Sequence, residues 1–518
     1  MGDADQKALN ALAKGAGVTA IGMGISKVLT YLYRVSIARF VGPEAYGQLS
    51  TALMVVGIAS TVAYLALGSG LKKFIPEFRS RDDFASIKGI VISALQLTVP
   101  VSIIIFLAVF FGAEFIAVTI FENPKLVPLI KILSFTIPAG TLSRLFFDTT
   151  LGFNKIIYKT GTVRIFQNIV QLGTTLILLL MGFKVVSAAY GWLLGTVVAA
   201  ILGFYFMEKK VGPILFSKTK PSYHRKKLLR FSTPLLLSGI IGTLLGWADT
   251  GLLQYFMEDL EVGLYNAALP TAILILLPHK AIGSLAITSF SELKERDKES
   301  VESSIQRATY WVFSLVFPTF LIMLLFSDKI LQILWGSEYT QASIALSILA
   351  TGYLIDALVG RVGSLLQSEG HTKYILYNNT AALTLNIILN IILIPPYGIA
   401  GAAIATATST ILTNVLMYIE VRKKEGINSI PHKKISKIVL TGLIPLSIII
   451  TLDTILFTNT PYWFLIPAGT TYITTYILLF LKTIGLGEEE KEVFLRIGEI
   501  TGTKDKVKKI LATIERRI

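Results

Sequence analysis

The residues best placed to do chemistry in this chain are charges inside apolar stretches. Seven basic residues, Lys27, Arg34, Lys131, Arg144, Arg164, Lys280 and Arg361, interrupt otherwise hydrophobic segments, and four acids, Asp148, Asp249, Asp356 and Asp453, do the same. A charge at the centre of a membrane helix costs roughly 2.5–3.5 kcal/mol on insertion scales, and such residues usually face a wet cavity or one another. Lys27, Tyr31 and Arg34 are spaced i, i+4, i+7, which puts them on one helix face. At 1.5 Å per residue, Lys27 lies about 20 Å along its segment, near mid-depth. Two cations and a phenol on one stripe suit a phosphate, which Arg can hold bidentately. Arg34, nearer the outer end, also suits snorkelling to the interface.

Arg144 and Asp148 are i and i+4 on one segment, which fits a local ion pair. Arg361 stands nine residues before Gly370, and Arg144 eight before Gly152, so the two arginines are also candidates to line one inward-facing cavity. Lys280, beside Pro278 and His279, suits a cavity and an interfacial reach equally. Lys131 fits snorkelling and Arg164 the basic face. The excess of embedded bases over acids favours an anionic substrate.

A second constellation is acidic and polar. Asp249 follows Trp247, Asn386 and Asn390 are i and i+4, and Thr406 follows on the next apolar stretch. Oxygen ligands from three helices can hold a hard cation such as sodium; the same asparagines can also simply join helices by hydrogen bonds. Other chemistry is excluded. The chain has no cysteine, hence no disulfide, thiolate zinc site or cysteine nucleophile. Its four histidines show no HExxH pattern, and no catalytic cluster or cofactor motif points to an enzyme.

The elements that must position these residues are membrane helices. Of 518 residues, 53% are hydrophobic and 16% charged, against about 25% charged in a soluble domain. Mean hydropathy is +0.66. A spanning helix needs about 20 mostly apolar residues. Fourteen such stretches are read, at 14–38, 46–70, 88–111, 126–151, 160–181, 186–207, 229–255, 263–289, 308–327, 341–366, 374–394, 398–420, 437–457 and 461–481. The start, MGDADQKALNALAKG, lacks the short apolar core and cleavage site of a signal peptide.

The net charge of +15 follows topology. One set of loops holds only Arg39, Lys125, Lys184 and Lys329; the other set and the two ends hold nearly all remaining Lys and Arg. The positive-inside rule then places both termini in the cytoplasm, in a multi-pass protein of the cell membrane. The charge therefore implies no nucleic acid partner.

The chain also repeats itself. Gly152-Phe-Asn-Lys155 recurs as Gly370-His-Thr-Lys373, Ser187-Ala188-Ala189 as Gly401-Ala402-Ala403, and Lys209-Lys210 as Lys423-Lys424. An offset containing six spans preserves orientation, so the halves are parallel repeats. The expected architecture is an all-α polytopic membrane protein: a lobe of six spans over 1–208, a basic linker over 209–228, a second six-span lobe over 229–424, spans 13 and 14 within 435–482, and an amphipathic cytoplasmic tail over 483–518. Two lobes about a cavity suit alternating access, and one chain holding both suits a monomer.

Four short motifs carry a family resemblance. Arg39-Phe-Val-Gly-Pro-Glu-Ala-Tyr-Gly47, Glu261-Val-Gly-Leu-Tyr-Asn-Ala267, Leu334-Trp-Gly-Ser-Glu-Tyr339 and Gly370-His-Thr-Lys373 resemble, in order and spacing, the signature of polysaccharide biosynthesis transporters. These form the oligosaccharide flippase branch of the multidrug/oligosaccharidyl-lipid/polysaccharide exporter superfamily. The resemblance covers roughly residues 10–480. It implies a V-shaped fold like that of the superfamily's multidrug exporters and a lipid-linked oligosaccharide substrate, carried on an isoprenoid phosphate or diphosphate, with membrane lipids as the other partner. Lys27, Tyr31, Arg34, Arg144, Lys280 and Arg361 are then the candidate substrate-binding residues. The resemblance also implies a coupling ion, sodium or a proton. Asp249, Asn386, Asn390 and Thr406 resemble the sodium set of coupled members in helix placement and spacing, departing at Asn390, where those members carry an acid. The alternative is a cation-coupled multidrug exporter, a branch that commonly places an acid in the first helix, where this chain has Lys27 and Arg34.

Overall fold

The computed structural model describes residues 3–277, 298–360, 362–369, 371–456 and 462–483, with Asp505 and Lys508. Side chains are described from Val28 onward, apart from a few that include Arg164 and Asp453. Lys27, Lys280 and Arg361 have side chains outside the described residues, as does most of the 483–518 tail.

Among the described residues the chain is helical throughout, without strands. The helices are α1 (Asp3–Tyr64), α2 (Leu67–Arg79), α3 (Phe84–Phe111), α4 (Leu126–Ser134), α5 (Thr136–Gly152), α6 (Ile156–Gly161), α7 (Gln167–Leu180), α8 (Val186–Tyr205), α9 (Arg225–Phe256) and α10 (Asp259–Ile273). They continue as α11 (Lys298–Leu325), α12 (Ser327–Leu334), α13 (Ser343–Val359), α14 (Val362–Ser368), α15 (Thr372–Lys424), α16 (His432–Leu456) and α17 (Tyr462–Thr483). Ten helical stretches among the described residues are long and apolar enough to cross a membrane. The chain is an all-α polytopic membrane protein.

Two of those stretches, Val28–Arg79 and Lys373–Lys424, are 52 residues long. At 1.5 Å per residue each greatly exceeds the ~30 Å hydrocarbon core. Each contains a break. Gly42 has φ 81° and ψ 170° before Pro43, and Gly398 has φ 53° and ψ −130° after Pro395 and Pro396. Positive φ favours glycine, and proline withholds the amide a continuing helix needs. Expected spans 1 and 2, and 11 and 12, are thus joined with almost no loop.

The chain forms two compact units. The first comprises Met1–Thr271, Leu331–Leu349 and Leu376–Ser409; the second comprises Ala272–Ile330, Ala350–Ile375 and Thr410–Ile518. One core of the first unit gathers Leu67, Leu71, Phe74, Ile90, Phe146 and Leu228 from α2, α3, α5 and α9. The basic linker is fastened to this end. Glu208 is buried and accepts the Leu215 amide at 2.8 Å, Lys88 donates to the Ser217 carbonyl at 2.6 Å, and His224 pairs with Ser86 at 2.8 Å.

In the second unit, α16 and α17 pack on α11 through Tyr310, Phe313, Phe317, Leu446, Tyr472 and Tyr476. The Tyr476 hydroxyl donates to the Ser314 carbonyl at 2.7 Å. On α16, Leu440, Ile444, Ile448 and Ile455 form an exposed apolar stripe, which water would penalise and lipid does not.

Candidate functional site

The Arg144 neighbourhood lies in the first unit. Arg144 and Asp148 both lie on α5, and their spacing suggests a mutual ion pair. The structure gives Asp148 other partners. Its Oδ1 takes Lys159 Nζ at 2.8 Å, and its Oδ2 accepts the Tyr64 hydroxyl. Asp148 is buried, whereas Arg144 is exposed. The Arg144 guanidinium rests 5.6 Å from the centre of the Tyr64 ring, a cation–π distance. Neither Tyr64 nor Lys159 stood out in the sequence. Lys159 is one of many bases just outside a span, and Tyr64 is one of 20 tyrosines.

The Lys27–Tyr31–Arg34 stripe resolves differently. The Tyr31 hydroxyl lies 2.9 Å from Thr271 Oγ1, and buried Trp335 donates its indole N–H to both, at 3.1 and 2.9 Å. The Tyr31 hydroxyl thus sits in a hydrogen-bonded group with Thr271 and Trp335. Arg34 is partly buried.

Around them, three of the four motifs quoted above converge. Arg39 donates from Nε to the Leu334 carbonyl at 2.9 Å and from the same guanidinium to Ile333. This caps the C-terminal carbonyls of α12, where a cation is favoured by the helix dipole. The Tyr339 hydroxyl donates to the Ala38 carbonyl at 3.1 Å. The motif beginning at Arg39 also meets the one beginning at Glu261, through Gly47 and Gly263.

The acidic and polar constellation assembles in the first unit. Asp249 is buried on α9, and its Oδ1 accepts Asn386 Nδ2 at 3.0 Å and Asn390 Nδ2 at 2.8 Å. Its Oδ2 accepts the Tyr265 hydroxyl at 2.5 Å and the Thr406 hydroxyl. Asn390 Nδ2 also reaches Asn386 Oδ1 at 3.1 Å, while buried Asn390 Oδ1 has no partner. A carboxylate, two amide oxygens and two hydroxyls from three helices have the donor chemistry of a hard-cation site. The orphaned Asn390 oxygen is the atom such an ion would use, so the residues fit sodium. Tyr265 is the member the sequence reading missed, although it sits in one of the motifs.

Buried Asp259 was also missed. Asp259 accepts Gln48 Nε2 at 2.8 Å, Asn123 Nδ2 at 2.6 Å and Gln254 Nε2 at 3.0 Å.

Residues 12–288 match the family model described as "Polysaccharide biosynthesis protein". The chain belongs to the polysaccharide biosynthesis protein family. This family lies within the multidrug/oligosaccharidyl-lipid/polysaccharide exporter superfamily, and residues 234–392 match the superfamily's MatE model. Among relatives of this family member, "Probable low-salt glycan biosynthesis flippase Agl15" of Haloferax volcanii is 30% identical over 260 residues, 50% of this chain and 54% of that protein. The chain thus spans about half the length of that relative. "Lipopolysaccharide biosynthesis protein WzxC" of Escherichia coli K12 is 23% identical, covering 68% of each chain. The fold resembles that of "Lipid II flippase MurJ, inward closed conformation", with TM-score 0.72, 19% identity, and 90% and 98% of the two chains covered. It also resembles an inward-facing multidrug resistance MATE family transporter, with TM-score 0.62, 16% identity, and 79% and 98% covered.

Proposed function

We propose that this chain is a transporter that flips a lipid-linked glycan, moving an isoprenoid phosphate or diphosphate bearing an oligosaccharide from the cytoplasmic to the outer leaflet by alternating access. The observation that carries this reading is Arg144, an exposed guanidinium inside an apolar segment whose helix-neighbouring carboxylate is engaged by Lys159 and Tyr64. An anionic headgroup supplies the counter-charge that the protein withholds, and Arg is suited to grip it bidentately. Family membership and relatives named as flippases support the same substrate class.

The rest of the reading follows the charge and repeat patterns. Both termini are cytoplasmic in the cell membrane. The spans form two six-helix repeats, 1–208 and 229–424, with an added C-terminal pair, and one chain works as a monomer. Sodium is the coupling ion. When bound, it supplies a positive charge among Asp249, Asn386, Asn390 and Thr406; Asp249 provides the only carboxylate, and Tyr265 orients it.

The test is reconstitution in proteoliposomes with a polyprenyl-diphosphate oligosaccharide. Arg144→Gln should slow flipping about tenfold, as expected for losing a charged hydrogen bond. Equal rates for both proteins overturn the reading. Transport of a lipophilic cation in its place would support the exporter alternative.

A further inference from the structure

The Arg144 neighbourhood contains a competition whose outcome local sequence does not set. An Arg and an Asp four residues apart on one helix ordinarily pair. Here both Asp148 oxygens are engaged, Oδ1 by Lys159 at 2.8 Å and Oδ2 by Tyr64. The Asp148 side chain is 4% exposed. The Arg144 guanidinium lies instead over the face of Tyr64. A cation–π contact holds a guanidinium without using up its charge, and Arg carries five N–H donors with which to hydrogen-bond an anion.

The backbone around Tyr64 is arranged to hold this geometry. Leu65 and Ala66, which end α1, have φ 51° and 52°. Left-handed conformations cost L-residues roughly 1–2 kcal/mol each and persist only where the surroundings impose them. Two residues on, Gly68 leaves the space the network needs. A Cβ there would lie 1.8 Å from the Tyr64 hydroxyl and 2.1 Å from Asp148 Oδ2.

We propose that Lys159 and Tyr64 are positioning residues for Arg144: Lys159 withholds Asp148 from it and Tyr64 holds its guanidinium on a ring face, so that the N–H fork is offered to the phosphate of the lipid headgroup. The proposal rests on the flippase reading above. It makes a prediction that a merely structural ion pair does not. Removing Lys159 frees Asp148 to capture Arg144, and removing the carboxylate as well releases Arg144 again.

The experiment is calorimetric titration of the full-length protein in detergent with farnesyl diphosphate, for wild type, Arg144→Gln, Lys159→Met, Asp148→Asn and the double variant Lys159→Met/Asp148→Asn. Thermal unfolding is recorded for each. Arg144→Gln and Lys159→Met should each weaken binding about tenfold, the scale of a charged hydrogen bond. The double variant should return to near wild-type affinity. Wild-type affinity in Lys159→Met, or a double variant as weak as the single, overturns the positioning role. If Lys159→Met fails to fold, Asp148→Asn decides. With the competitor gone it should bind at least as tightly as wild type, and weaker binding overturns the proposal. If Arg144→Gln binds like wild type, it is the phosphate role of Arg144 in the flippase reading that falls.

Discussion

Gly47 and Gly263 meet backbone to backbone. A Cβ on Gly47 would lie 1.8 Å from the Asp259 carbonyl oxygen, and one on Gly263 would lie 1.9 Å from the Pro43 carbonyl oxygen. The two glycines come from two of the family motifs, so part of the signature is a steric requirement of helix crossing. Small residues let helix backbones approach closely in membranes. Gly47→Ala or Gly263→Ala should lower stability by about 1–3 kcal/mol, the usual cost of overpacking where the obstacle is backbone. Thermal unfolding in detergent measures this, and an unchanged midpoint would contradict the packing.

Asp259 is the acceptor for three amide side chains beside this crossing. Asp259→Leu leaves the Gln48, Asn123 and Gln254 amides without it, at about 1–3 kcal/mol for each group left unsatisfied. Asp259→Asn retains one acceptor oxygen and should cost less. The order wild type, Asn, Leu in unfolding temperature is the expected result, and a Leu variant as stable as wild type would refute the role.

For the Asp249 set, the prediction concerns coupling. In proteoliposomes with an imposed sodium gradient, Asp249→Asn should lose sodium dependence, because the site's one carboxylate is gone. If wild-type transport runs equally fast with and without the gradient, sodium has no part in it.

Asp83 lies outside the apolar segments and caps α3. The Ser86 hydroxyl, and after it the Ser86 backbone amide at 2.9 Å, favour its charged form and hold its pKa below the usual carboxylate value. A folded-state pKa below the unfolded one gives stability that is present above the unfolded value, near 3.9, and lost as pH falls through the folded value. The wild type should therefore destabilise more steeply on acidification below pH ~4 than Asp83→Ala. Parallel curves in a pH series of unfolding temperatures would dismiss the cap.

Some features were legible because they are local or compositional. Asn386 and Asn390 share a helix face by spacing alone, and both reach Asp249. Tyr31 and Arg34 also share a face by spacing, but spacing carries no information about what that face meets. Thr271 on α10 and Trp335 beyond the end of α12 meet the Tyr31 hydroxyl, contacts from distant segments that spacing within α1 does not carry. Asp259 was invisible because its amide partners come from three separate segments.

The sequence by itself determined that this is a helical membrane protein, through an apolar content that only lipid tolerates. It also determined family membership, through motifs whose glycines and tyrosines have steric and hydrogen-bonding work to do. Only the tertiary structure decided that Asp148 takes Lys159 and Tyr64 as its partners. Arg144 and Asp148 are neighbours along one helix, and helical geometry alone would pair them. Lys159, arriving beyond the turn after α5, and Tyr64, distant in sequence, compete for the same carboxylate and hold it. A charged group in low dielectric takes whichever partner the packing brings closest, and no spacing within a single helix can decide that contest.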